Sequence, residues 1–446
     1  MAILTQPKKG RRRLKRKVSA SRLPLKARKA RSARLRRGKA AGLSRKLRRL
    51  KGYRRRRRRQ SPAISIPAPA AQLPVLPAGI NLVGNGRAES GLGESLRAAA
   101  RALSRTDIPF GIVDIPESPS RSSDLSWVHR EIPEPVYRVN VLHMNADYLK
   151  LFQQHNGHVF HNHLNIGVWH WELPDFPNEW CDSFQLVHEV WAPSRFIQNS
   201  VAAKSPVPVV YIPHAIEVQY PAELTREHFG LPEGRFLFLS MYDTFSFAQR
   251  KNPIAVIEAF KMAFSPDNPH VGLAVKVNNP TADIIPSIQH ELDKLRAAID
   301  GWPNIYLINQ IMDRPVVNAL ISLCNSYVSL HRSEGFGLPM AEAMFLGKPT
   351  IATYYSANID YMDSDNSCPV PFRLVPVGED YGPYKAYQTW ADPDLAHAAH
   401  YMKRLVEDHH YYQQISVQGA HTIYTRFSPT AIGALIRQRI RELGVM

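Results

Sequence analysis

What most constrains this chain is the repeated alternation of short apolar runs with helical patterns from Ile80 onward. The runs Ile80–Val83, Phe110–Ile115, Val139–His143, Asn165–Trp169, Glu189–Ala192 and Val207–Ile212 have the length and composition of buried strands. A second series follows at Phe236–Met241, Val271–Val277, Ile305–Ile308, Tyr327–Leu330 and Thr350–Ala352. Helical patterns such as Pro253–Ala263, Thr281–Ile299 and Pro339–Phe345 lie between the runs. Alternation of this kind predicts parallel sheets with helices on both faces, and two series predict two doubly wound, Rossmann-like α/β domains. Ligands of such sheets bind beyond the carboxyl ends of the strands, so the expected site is a cleft between the domains.

The formal charge of +19 is unevenly divided. Residues 1–60 hold 28 of the 57 Lys and Arg and no Asp or Glu, so the rest carries 29 bases against 38 acids, a net of −9. Like charges this dense repel and bury too little apolar surface to offset chain entropy, so 1–60 is expected to be a disordered Arg/Lys-rich arm. Residues 61–78 contain five prolines and read as a Pro/Ala linker. The expected domains are 79–220 and 221–428, with a last helix in 429–446 packing back on the first. No apolar run is long enough to span a membrane. The basic N-terminus lacks the apolar core of a secretory signal, and three widely spaced cysteines suit a reducing, cytoplasmic location. The arm's charge would attract an anionic surface, at the inner face of a membrane or on nucleic acid. Its one aromatic, Tyr53, gives no support for base readout.

Chemistry concentrates in Ser329–Met344, SLHRSEGFGLPMAEAM. A strand ends near Leu330, a turn holds Glu334, Gly335, Phe336 and Gly337, and a helix opens with Pro339 in its first turn. Glycines let backbone N–H groups approach a ligand, and a helix N-terminus favours an anion such as a diphosphate. Glu334 and Glu342, eight residues apart, fit beside an anion only as acceptors for hydroxyl groups. A nucleotide sugar carries hydroxyls on both sides of its diphosphate. A second segment, FLFLSMYDTFSFAQRKNPIAVIEAF, reads as strand, loop and helix, with Arg250 and Lys251 just before the helix. Such a pair can stabilise the charge on a departing nucleoside diphosphate.

With these two segments and GKPTIAT downstream, residues 80–446 resemble the retaining group-1 glycosyltransferases, glycosyltransferase family 4, of GT-B fold. The resemblance is to the bacterial subgroup with Arg-Lys-Asn-Pro and Glu-x7-Glu patterns; Met241, Tyr242 and Asp243 depart from the Gly-Arg usual at the strand end. It implies a metal-independent transfer of a sugar from a nucleotide diphosphate sugar to a glycan or lipid-linked acceptor, in polysaccharide or lipopolysaccharide synthesis. It implies that Arg250 and Lys251 grip the diphosphate, that Glu334, Gly335, Phe336 and Gly337 hold donor sugar and diphosphate, and that Glu342 takes the ribose hydroxyls. Domain 79–220 would be the acceptor side and 221–428 the donor side. No cofactor is implied beyond the sugar nucleotide itself.

The first domain opens with NLVGNGRAESGLGESLR, a strand, a glycine-rich loop and a helix. By resemblance its Gly91, Gly93 and Glu94 face the acceptor or a donor phosphate, with Arg87 and Arg97 as helpers. In NIGVWHWELPDF, His170 and Glu172 follow a strand; the resemblance sets a histidine such as His170 near the reacting centre. Trp169 and Trp171 suit either stacking on a sugar or the core. Asn145 and Asp147, after the strand ending at His143, are further cleft candidates, and Asn358 follows the strand at Thr350–Ala352. The histidines 155, 158, 161 and 163 lack a completing metal ligand and read as an exposed loop. Two alternatives stay open. One is a nucleic-acid- or anionic-surface-binding protein acting through the arm. The other is an NAD-dependent enzyme, favoured by Asp114 but opposed by Leu96, which stands where a dinucleotide fingerprint needs a small residue.

Overall fold

A computed structural model describes residues 76–116, 120–278 and 286–445, the side chains of 286 and 287 excepted. The arm at 1–60 and the linker as far as residue 75 lie outside the described residues. The described residues make one compact unit. Its first half holds β1 (Ile80–Gly84), α1 (Gly91–Leu103), β2 (Phe110–Asp114), β3 (Val139–His143), α2 (Ala146–His155), α3 (Gly157–Phe160), β4 (Leu164–Val168), β5 (Glu189–Ala192), α4 (Arg195–Ala202) and β6 (Val209–Tyr211). Its second half holds β7 (Phe236–Asp243), α5 (Ala248–Lys251), α6 (Pro253–Ala263), β8 (Val271–Asn278), α7 (Pro286–Ile299), β9 (Ile305–Asn309), α8 (Arg314–Leu323), β10 (Ser326–Ser329), α9 (Leu338–Phe345), β11 (Thr350–Thr353) and β12 (Cys368–Val370). An antiparallel hairpin, β13 (Phe372–Pro376) and β14 (Thr389–Pro393), precedes α10 (Leu395–Glu407), α11 (His409–Arg426) and α12 (Pro429–Glu442).

Both large sheets are six-stranded and parallel throughout, in the orders β2-β1-β3-β4-β5-β6 and β12-β11-β10-β7-β8-β9. These are two doubly wound, Rossmann-like α/β domains. Their strands are apolar on both faces because helices cover both: Ile80, Leu82, Val139 and Val141 pack under α1, while Leu142, Val190 and Ile197 belong to the opposite core. Each sheet reverses its winding once, between β1 and β3 in the first and between β7 and β10 in the second. Such switch points open a crevice at the carboxyl ends of their strands.

The chain ends on its first half. Ile432, Ile436 and Ile440 of α12 enter the core beneath β1 and α1. Arg439 pairs with the buried Glu189 of β5, Nε lying 3.0 Å from Oε1. Trp169 and Trp171, weighed as sugar-stacking groups, are core: they are 0% and 1% exposed, and Trp169 stacks on Phe176. His155 and His163 bind backbone carbonyls of Leu151 and Tyr137, and His163 is buried rather than in an exposed loop. No helix among the described residues is long and apolar enough to cross a membrane.

Candidate active site

Residues that follow the switch-point strands of both sheets line one cavity of about 540 Å³. On the second sheet, the chain leaves β7 and makes the single turn of α5, which ends in Arg250 and Lys251. Asn252 then takes a left-handed conformation and Pro253 opens α6, so the two bases are fixed at a corner. Arg250 is 3% exposed; its Nη1 donates to Ser333 O at 2.8 Å and lies 3.4 Å from Glu334 Oε2. Lys251 Nζ donates to Glu334 Oε1 at 2.5 Å. Burial pushes the Glu334 carboxyl up, but Lys251 and Arg250 outweigh it and bring it down to about 2. Arg250, Lys251 and Glu334 therefore form a cluster of two cations and one anion at neutral pH.

The turn from β10 ends at Gly337, whose φ of +85° favours glycine and whose added Cβ would meet Tyr361 Oη at 2.8 Å. Tyr361 Oη donates to the carbonyls of Phe336 and Gly337 and fixes the turn. Gly337 is the N-cap of α9 and no side chain caps that end. Pro339 has no N–H and the N–H groups of Met340 and Ala341 turn back to Gly337 O, so that end offers a ligand the Leu338 N–H and its partial positive charge, within the same cavity wall as Arg250 and Lys251. Two cations beside an open helix N-terminus suit a diphosphate.

The first sheet supplies Asn145, His170, Glu172 and His214. The backbone N–H of His170 donates to Asn145 Oδ1 at 2.9 Å, and its ring meets His214 with Nε2 atoms 3.1 Å apart. Burial lowers His170 to about 4. Burial, then the neighbouring His170, lowers His143 to about 3. Both rings are neutral at pH 7. Glu172 Oε1 lies 3.8 Å from Arg250, and its Oε2 accepts from Tyr384 Oη at 2.8 Å. Tyr384 sits between β13 and β14, so the second half of the chain reaches over to the wall of the first.

Several expected residues stand elsewhere. Asp147 is exposed in the first turn of α2 and does not line the cavity. Asn358 is fully buried, its Nδ2 donating to Thr353 O and its Oδ1 bonded to His331, so its side chain has no group left for a donor. Glu342 does not line the cavity; its carboxylate is paired with Arg314, which does. Gly93 is off the wall too, its N–H capped by Ser90 Oγ at 3.2 Å. Gly91 and Glu94 line the cavity, but Glu94 is bound by Arg97 and Arg101. The N-terminus of α1 thus carries a cap and a carboxylate, which argues against a phosphate there. Arg87 pairs with Glu131 away from the cavity.

His214, Arg314 and Lys276 line the cavity without having been singled out. His214 follows an expected strand directly, and Lys276 interrupts the apolar run Val271–Val277; either signal was visible. Tyr384 has none, because its place depends on a hairpin.

No protein-family model matches the chain, and no curated protein matches it. Solved structures do. HepE of Anabaena, in complex with UDP-glucose, aligns with a TM-score of 0.59 at 13% identity, over 82% of this chain and 100% of that one. Sucrose-phosphate synthase of Thermosynechococcus elongatus aligns with a TM-score of 0.59 at 15% identity, over 82% and 99%. The fold is GT-B. At such identities the likeness carries the architecture alone.

Proposed function

We propose that the protein is a glycosyltransferase that moves a sugar from a nucleoside diphosphate donor to a hydroxyl of a glycan or lipid-linked acceptor, with retention at the anomeric carbon. The observation that carries this reading is the grouping of Arg250, Lys251 and Glu334 with the open N-terminus of α9 at the second switch point. The acceptor oxygen bonds to the anomeric carbon as its bond to the diphosphate oxygen breaks. The acceptor proton passes to that leaving oxygen. Arg250, Lys251 and the N–H groups of Gly335, Phe336 and Gly337 stabilise the charge that develops on the diphosphate. Glu334 accepts from hydroxyls of the donor sugar. His170, neutral, faces the sugar from the first sheet with Asn145 and Glu172. A ribose reaching Glu342 has to displace Arg314. These cations supply positive charge without a metal ion.

HepE is solved with UDP and with UDP-glucose, which supports a sugar nucleotide as donor. A role in polysaccharide or lipopolysaccharide synthesis follows from the acceptor class, and a cytoplasmic enzyme held at an anionic membrane by residues 1–60 fits the arm's charge. The test uses the full chain, a panel of UDP-, dTDP-, GDP- and ADP-sugars, thermal shift and nucleotide release. At least one nucleotide at a hundred times its Kd should stabilise by about 2.7 kcal/mol. No shift and no release with any donor overturns the proposal. Deleting 1–60 should leave release intact; loss of all binding on deletion would favour the surface-binding alternative.

A further inference from the structure

Lys276 makes no hydrogen bond or ion pair with any described residue. It lies on β8, opposite Met241 of β7 and Ile308 of β9, and is 5% exposed. Strand alternation puts it on the face of Ala274, against the core shared with α8 and α9. It lines the cavity. Two charged groups act on it from the elements packed around it. Asp243, at the end of β7, favours the ammonium, but its oxygens accept from Phe245 N and Asn278 Nδ2. Arg314, at the start of α8, opposes it and is paired with Glu342. Burial lowers the amine to about 8, so it is mostly charged at pH 7. A charge removed from water with no partner is costly, and proteins keep such groups where a ligand completes them.

The surroundings specify the ligand. The diphosphate end of the cavity is set by Arg250, Lys251 and the α9 N-terminus, at the strands β7 and β10. Lys276 stands one strand away, on β8, towards β9. The wall there is Met241, Ile311, Met312 and Val317. Asp243, Asn278 and Arg314 also line the cavity. Four apolar side chains beside the ammonium suit a flat heterocycle with an acceptor on its edge, and the Asp243 carboxylate disfavours a second phosphate. An ammonium has three donors and no acceptor. It matches the carbonyl oxygens of uracil, thymine and guanine, and at the edge position where adenine carries its amino group it meets a donor of its own kind.

We infer that Lys276 reads the base of the donor nucleotide, donating to a ring carbonyl oxygen and discriminating against adenine. The inference rests on the donor reading above. Calorimetric binding of UDP, dTDP, GDP and ADP to the wild-type chain, Lys276→Met and Lys276→Gln tests it. The wild type should prefer an oxo-base nucleotide. Lys276→Met should lose about ten- to hundred-fold for that nucleotide and little for ADP. Lys276→Gln keeps a donor and should lose less. The unliganded Tm of Lys276→Met should stay level or rise, because an unpaired buried charge has gone. Preference for ADP, equal loss for every nucleotide, unchanged affinity, or a lowered unliganded Tm each overturns the inference. Equal loss would move Lys276 to the phosphates, and a lowered Tm would make it structural. A wild-type chain that binds none of the four defeats the donor reading as well.

Discussion

Lys251 and Arg250 meet a carboxylate before they meet a donor. With Glu334 held down to about 2, its charge partly cancels theirs in the empty cleft. This makes two substitutions separable. Glu334→Gln should free both cations, tightening free nucleoside diphosphate several-fold in calorimetry while turnover falls because the donor sugar is no longer held. Lys251→Ala should lower kcat about ten- to hundred-fold with a smaller change in KM, since its charge matters most when the leaving group departs. An unchanged kcat in Lys251→Ala would remove it from the chemistry. These residues were legible because one strand–turn–helix segment and one helix start contain them all. Asn358 and Asp147 were misplaced for the complementary reason. Nearness to a strand end leaves open which way a side chain turns, and Asn358 turns inward to Thr353 and His331.

At the scale of elements, every expected apolar run carries a strand, because strands covered on both faces stay predominantly apolar even where an Asn140, a Glu189 or a Lys276 interrupts them. The parts without such a pattern were missed. The hairpin β13–β14 is largely exposed along β13, and α11 buries a narrow stripe, Tyr411, Ile415, Gly419 and Ile423. The expected helix at Thr281–Ile299 is described only from Pro286; residues 279–285 lie outside the described residues. The last helix shows how two elements far apart in sequence become one joint. Gly433 of α12 lies so close to α1 that a Cβ added there would come 2.5 Å from Ala102 O and 3.0 Å from Thr106 Cγ2. Backbone cannot yield as a flexible side chain does. Gly433→Ala should therefore cost about 1–3 kcal/mol, despite alanine's better helix propensity. Urea unfolding reads this directly; a stabilised variant would show that α12 does not pack this closely.

Contacts between the two halves tie the described residues together, one of them at the cavity wall through Glu172. Tyr384 binds Glu172, Gln388 Nε2 donates to Asp175 O, and Arg439 holds Glu189. Within this joint lie His143, His170 and His214, brought together from the ends of β3, β4 and β6. No segment of the sequence contains two of them, so the cluster was not legible before the sheet order was known. Burial lowers all three, His143 to about 3, His170 to about 4 and His214 well below 6.5. Between pH 6.5 and 4 the unfolded chain binds protons that the folded chain refuses. Stability then falls as pH falls through that window, by up to about 1.4 kcal/mol per pH unit for each histidine. The Glu334 carboxylate works in a lower window. Its stabilisation is present above about 4.5 and disappears as pH drops towards 2. Acid destabilisation should thus begin well above the carboxylate range. His143→Gln should flatten the upper window by about one proton, whereas Glu334→Gln should leave it unchanged and flatten only the lower one. Urea unfolding at intervals from pH 7 to 3 separates the two; a wild-type stability level from pH 6.5 to 5 would mean the histidines are not buried neutral at the joint.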